Sequence, residues 1–216
     1  VLDVYEAGSN ILTFLVQYML SDYNMYIWPE IDTGGLLDLY LQTPTSDECV
    51  IDTIEPFVER LLKHEPSGLM TPLESAAHFK KMGEETLRAI SKLDTADASK
   101  ELKSTVIDFS AMSFLALYHA VKTKAAVNLK LFYETQDIGF LKKAYCQIQK
   151  ATDYWERIVS ITQDYYYDGM VTGPNDAGCW KSKLPLVYED ELHLGQLLNQ
   201  AEQFGVFQTG FDFGAP

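Results

Sequence analysis

The run from about Ala98 to Glu134 constrains the fold more than any other part of the chain. It contains neither Gly nor Pro, the residues that most often break a helix. An unbroken helix of that length spans roughly 55 Å. Its apolar residues cover more than one face: Leu102, Val106 and Phe109 lie on one, Met112 and Leu115 on a second, and Ile107, Phe114, Tyr118 and Val121 on a third. A helix apolar nearly all round is buried by neighbours on several sides. A membrane span needs about twenty apolar residues free of charge, and Asp108, His119 and Lys122 interrupt this run. The pattern therefore predicts the central and most buried helix of a soluble bundle.

Two further long helices flank it. Thr71-Pro72-Leu73-Glu74 is a helix start with its own chemistry, since Thr caps, Pro suits the first position and Glu completes a capping box. The stripe Ala76, Phe79, Gly83, Thr86, Ile90 and Leu93 carries that helix to about residue 93. Asp94–Asp97 is a short connection, which makes the first two long helices antiparallel neighbours. After a turn at Gln136–Gly139, Leu141, Ala144, Tyr145, Ile148, Ala151, Trp155, Ile158, Val159 and Thr162 mark a third helix over about 138–166. A last helix is predicted from Leu184-Pro185 to about Gln203. Upstream, residues 5–27 show 3–4 apolar spacing with Ser9 or Asn10 as cap. Short elements follow at 36–41 and 51–62, the latter interrupted early by Pro56.

Function classes narrow by charge and cysteine usage. A net charge of −14 argues against nucleic-acid binding, which needs a Lys/Arg surface to neutralise phosphate. It also disfavours an anionic membrane surface. Cys49, Cys146 and Cys179 are too few and too scattered for a disulfide framework or a zinc site, so three reduced thiols are expected, although one pair could form. No metal and no cofactor is expected. The chain opens at Val1 without Met and reads as a piece of something longer.

Candidate chemistry gathers in two irregular stretches. The first is Trp28 through Gly35, with Glu30 and Asp32. The second is Tyr165 through Trp180, with Tyr166 and Asp176. Both are aromatic and acid-containing, and loops on a rigid scaffold are where binding residues concentrate. If the N-terminal helix, which ends near Trp28, runs parallel to the third long helix over about 138–166, the two stretches share one end of the bundle. There a sugar would stack on an aromatic face while Glu30, Asp32 or Asp176 accepted its hydroxyls. Against this, Trp and Tyr commonly wedge helix ends together, and Trp28 and Trp180 could simply seal the end. Asp168, Asp176 and Glu189-Asp190-Glu191, with His193 beyond, could serve glycoside hydrolysis or metal binding, but the three consecutive acids splay around a helix end and read as first-turn electrostatics. His193 is not in an HExxH arrangement. His119 reads as a hydrogen-bonded core histidine, and Gly34-Gly35 is too short for a phosphate loop.

Two stretches carry a family resemblance: Tyr5-Glu6-Ala7-Gly8 with Ser21–Gly35, and Gly173–Gly178 with Trp180–Pro185. Together they resemble a helical region of large multidomain bacterial proteins linked to polysaccharide breakdown, of the glycoside-hydrolase type. The ending Phe211-Asp212-Phe213-Gly214 is similar to the first strand of β-rich, galactose-binding-like modules that precede esterase-type domains. The resemblance implies export to the periplasm, cell surface or medium, and supplies no catalytic pair.

The expected fold is all-α: an antiparallel helical bundle with long central helices and an irregular N-terminal extension. The expected organisation is residues 1–68 as N-terminal helix and irregular subdomain, 69–203 as the bundle, and 204–216 as an extended tail or linker. The expected function is a non-catalytic helical module of a secreted carbohydrate-active protein. The alternatives are a carbohydrate-binding or catalytic segment using the two irregular stretches, and a protein-interaction domain. Expected partners are an oligosaccharide or neighbouring domains of the same polypeptide, with no nucleic acid and no membrane insertion.

Overall fold

The computed structural model describes residues 1–19, 29–94, 99–173 and 176–204. Over these residues the chain is an all-α bundle with one short hairpin. The long helices are α5 (Pro72–Ile90), α6 (Lys100–Thr135), α7 (Ile138–Thr162) and α8 (Leu184–Phe204). Their cross-contacts establish direction. Along α6 and α7, Asn128 meets Gln147 and Tyr118 meets Trp155; one number rises as the other falls, so the helices are antiparallel. Gly83 and Phe79 of α5 meet Ser113, Leu117 and His119 of α6 in the same sense. Gln149–Glu191 and Lys142–Glu202 repeat it between α7 and α8.

Local chemistry explains where the helices begin and stop. The capping box at α5 forms as the sequence predicts: Thr71 Oγ1 accepts from Glu74 N at 3.2 Å, and Glu74 Oε2 accepts from Thr71 N at 2.8 Å. Ser99 caps α6. Gln136 ends it in the left-handed region at φ 58°, and Asp137 Oδ1 then accepts Gly139 N at 2.8 Å to start α7.

The tightest helix crossing is at Gly83. A methyl group there would lie 2.7 Å from the Ser113 carbonyl oxygen. Most of α6 from Ala111 to Phe132 is buried, with Phe114 half-buried, whereas upstream Glu101, Lys103, Ser104 and Asp108 are exposed and Phe109 is half-buried. The helix is thus central along its C-terminal two-thirds rather than throughout. It is long and apolar enough to cross a bilayer by length and composition; in this fold its apolar side chains pack on α5 and α7.

The N-terminal helical region is broken where one helix over 5–27 was expected. α1 (Leu2–Gly8) and α2 (Asn10–Met19) are separate. Gly8 sits so close to the bundle that a Cβ would run into the Phe109 ring and meet Thr86 Cγ2 at 3.0 Å. Residues 20–28 lie outside the described residues, as does the strand-like tail expected over 204–216 beyond Phe204. A 3₁₀ turn (Pro29–Ile31), α3 (Leu37–Gln42) and α4 (Ile54–Leu62) complete the region. Pro56 sits in the first turn of α4, where a missing N–H costs nothing. Ile11, Leu15, Ile31, Leu37, Tyr40 and Phe57 join the same apolar core as α6 and α7. Beyond α7, the expected loop contains a two-stranded antiparallel hairpin, β1 (Met170–Gly173) and β2 (Asp176–Gly178), followed by a 3₁₀ turn at Trp180–Lys183.

Candidate functional site

The 29–35 segment is shaped by its acids and glycines. Asp32 Oδ1 accepts Gly34 N at 2.7 Å, an Asx-type turn. Gly34 and Gly35 follow with φ of 75° and 70°, a left-handed pair that glycine adopts without steric cost. The result points the carbonyls of Thr33 and Gly35 at α6, where Lys122 Nζ donates to them at 3.0 and 2.5 Å.

Lys122 is 1% exposed and forms an ion pair with Asp190 Oδ2 at 2.8 Å. It also donates to Tyr118 Oη at 3.1 Å, and that hydroxyl in turn donates to Thr33 O at 2.9 Å. Asp190 Oδ1 accepts the Leu37 N–H at 2.6 Å. Four acceptors surround the three N–H groups of the ammonium, and both Asp190 oxygens accept a hydrogen bond, which is what makes a buried pair tolerable. Burial pulls the Lys122 ammonium toward neutrality, and Tyr118 and Asp190 more than reverse this, so it stays charged. A second tier adjoins it: Tyr40 and Tyr18 hydroxyls meet Thr123 Oγ1 at 2.9 and 3.0 Å, and His119 Nδ1 lies 3.4 Å from Tyr40 Oη. Burial, then the Lys122 charge, lowers His119 to about 3, so it is a neutral core histidine. On the outer side, Asp38 accepts from Tyr133 Oη at 2.8 Å and pairs with His193 Nε2 at 3.1 Å. Burial alone would raise the Asp38 carboxyl; the bonds from His193 and Tyr133 hold it below its ordinary value.

This network corrects the reading of Glu189-Asp190-Glu191 as first-turn electrostatics. α8 starts at Leu184, so the three acids lie in its second turn. Asp190 is 3% exposed, and only its neighbours splay outward. The signal was present: Val187, Asp190, Leu194 and Leu197 are spaced as one buried stripe. An acid inside such a stripe requires a buried base, and Lys122 was that base.

The two irregular stretches do meet. Trp180 Nε1 donates to Glu30 O at 2.8 Å, and Trp155 Nε1 donates to Trp180 O at 2.9 Å. The expected route was different, however. α1 and α2 run antiparallel to α5, as Gly8–Thr86 and Phe14–His78 contacts require, and hence antiparallel to α7. The stretches meet because residues 29–35 lie across α6 near Tyr118, beside Trp155, and not through parallel helices.

The candidate binding residues are placed as follows. Trp28 is outside the described residues. Glu30 is half-buried at the seam, and burial raises its carboxyl above the ordinary range. The Asp32 carboxylate closes the turn onto Gly34. Tyr166 packs edge-on to Trp180, with centroids 4.9 Å apart at 72°, and its hydroxyl donates to Asp108. Asp176 opens β2. Trp180 is only 3% exposed. Within the second stretch the aromatic faces open to solvent are instead Tyr165 and Tyr167, at 66% and 77%. The Tyr165-Tyr166-Tyr167 run was visible in sequence; which of the three turned inward was not. Cys49, Cys146 and Cys179 are free, with Cys179 buried and its thiol 3.4 Å from Asp168 Oδ1. Among the described residues, no three His, Cys, Asp or Glu side chains converge as a metal-ligand group.

No protein-family model matches the chain, and no curated protein matches it by sequence. By structure it is similar to a GH138 enzyme targeting pectin rhamnogalacturonan II, with a TM-score of 0.69 over 93% of this chain at 13% identity. The match spans 32% of that enzyme's length. At this identity the likeness is one of fold.

Proposed function

We propose that the chain is a non-catalytic helical module of a secreted carbohydrate-active protein, flanking or supporting a catalytic domain of the same polypeptide. The observation that carries this reading is the burial of Trp180 and the engagement of its indole N–H by Glu30 O. The Trp180 indole N–H is taken up by Glu30 O, the Asp32 carboxylate by Gly34 N and the Tyr166 hydroxyl by Asp108, whereas an active centre needs such groups facing an open cleft. The fold likeness to one-third of a glycoside hydrolase supports the carbohydrate-active context. The module acts as a rigid block whose buried Lys122–Asp190 pair is matched internally.

The test is an activity comparison between this segment alone, the protein containing it, and that protein with residues 1–204 deleted, on rhamnogalacturonan oligosaccharides and other plant and bacterial glycans. The segment alone is expected to release no sugar, and the deletion to lose stability or activity. Hydrolysis by the segment alone overturns the reading. A second reading, glycan stacking on exposed Tyr165 and Tyr167, predicts that oligosaccharide titration perturbs Trp180 fluorescence and that Tyr167→Ala abolishes the change.

A further inference from the structure

A cleft of about 350 Å³ lies between the α1–α2 corner and α5, with polar walls over a floor of Phe14 and Met82. That volume is within the small-molecule range. The walls are built by helical spacing. On α2, Asn10, Thr13 and Gln17 recur at intervals of three and four, and on α5 His78, Lys81 and Glu85 do the same, so each helix presents one polar row to the other, with Glu6 added from α1. Phe14 meets the His78 ring edge-on, with centroids 4.6 Å apart, and packs against Phe79 beneath it. This gives the cleft a fixed apolar floor. Gly8 lets the corner seat closely on Phe109 and Thr86 and so sets the cleft's width. The cleft is separate from the Trp180–Glu30 seam, which belongs to the 180–183 turn and the 29–35 segment.

From this lining we infer that the cleft binds a neutral, hydroxyl-rich ligand of one or two sugar rings. Two primary amides, a hydroxyl and an imidazole each donate and accept, which matches the alternating donor and acceptor character of a polyol. Glu6 and Glu85 accept hydroxyls, and Lys81 donates to them. An anionic ligand would face two glutamates on a chain of net charge −14. An apolar ligand would desolvate seven polar side chains without replacing their hydrogen bonds. The inference goes beyond the reading of the chain as a supporting module, because it gives the module a glycan contact of its own on a different surface.

The experiment is amide-resolved NMR titration of the 216-residue chain with a panel of neutral methyl hexosides and their disaccharides, with galacturonate and an amino acid as charged arms. Saturable shifts are expected at residues 6–17 and 78–85 with the neutral sugars, and weaker ones with galacturonate. Asn10→Ala and Gln17→Ala change exposed side chains, leave the fold intact, and are expected to weaken binding about three- to tenfold each, the worth of one hydrogen bond. No saturable shift from any neutral sugar overturns the inference. So do shifts the two variants leave unchanged, a preference for the amino acid or galacturonate, or shifts confined to residues 165–180. Absence of hydrolysis bears only on the module reading, so the two fail independently.

Discussion

Asp190→Ala would strand the Lys122 ammonium in a site where that side chain is 1% exposed. Removing one partner of a buried ion pair costs about 3–5 kcal/mol, because the remaining charge has neither water nor a counterion. The Leu37 N–H would also lose its acceptor, a further penalty of about 1–3 kcal/mol if water does not reach it. In the other direction, Thr33 O, Gly35 O and Tyr118 Oη still hold the ammonium. The expected net loss is about 3–5 kcal/mol, a large share of the roughly 5–15 kcal/mol by which a domain is stable. Urea unfolding followed by Trp fluorescence measures it, with the slope unchanged if the native and unfolded states keep their exposed areas. Asp190→Asn separates charge from shape, since it retains volume and an acceptor for Leu37; it should still lose most of that stability. Adding Lys122→Met to Asp190→Ala should cost about 1–3 kcal/mol less than the two single losses summed. A silent Asn variant with an Ala loss under about 1 kcal/mol, or strict additivity in the double variant, would refute the reasoning.

Acid stability should track His119. Its folded value of about 3 lies below the ordinary 6.5, so between these the unfolded chain binds a proton that the native one does not. Stability is therefore lost as pH falls from 6.5 toward 3, at up to about 1.4 kcal/mol per pH unit. His119→Gln should flatten that part of the stability–pH curve, and an unchanged curve counts against the assignment. At the alkaline end, Tyr18 and Tyr118 are pushed up to about 12, burial being the main cause. The unfolded chain releases these protons from its ordinary 10.0, so stability should fall between pH 10 and 12; calorimetry showing a flat profile there would contradict their burial. Gly83→Ala places a methyl 2.7 Å from Ser113 O, so overpacking of about 1–3 kcal/mol should outweigh the helix-propensity gain of about 1 kcal/mol. A raised melting temperature in that variant would show that α5 and α6 can separate freely. Thr71→Ala removes one half of the capping box and should cost about 1 kcal/mol by denaturant titration.

The sequence by itself determined the helices and their pairing. The capping box at Thr71, the absence of Gly and Pro through α6, and the short turn at Gln136 are local signals read over a few residues, and the expected all-α antiparallel bundle is what the structure contains. The same locality explains the errors. Apolar spacing from residue 5 onward does not register the break between α1 and α2, nor that position 8 must lack a side chain beside Phe109, a constraint that comes from α6, far along the chain. The site divides in the same manner. Aromatic, acid-containing stretches at 28–35 and 165–180 are visible as composition, and helical spacing marks the polar rows of α2 and α5. Only the tertiary structure joined Trp180 to Glu30 and turned Tyr166 inward while leaving Tyr165 and Tyr167 exposed. It alone brought Asp190 within 2.8 Å of Lys122, 68 residues apart. A charge in an apolar stripe states that a partner must exist, since an unpaired buried charge is too costly. Which residue supplies that partner is decided by how α6, α8 and the 29–35 turn pack, and packing is a property of the assembled fold rather than of any one segment.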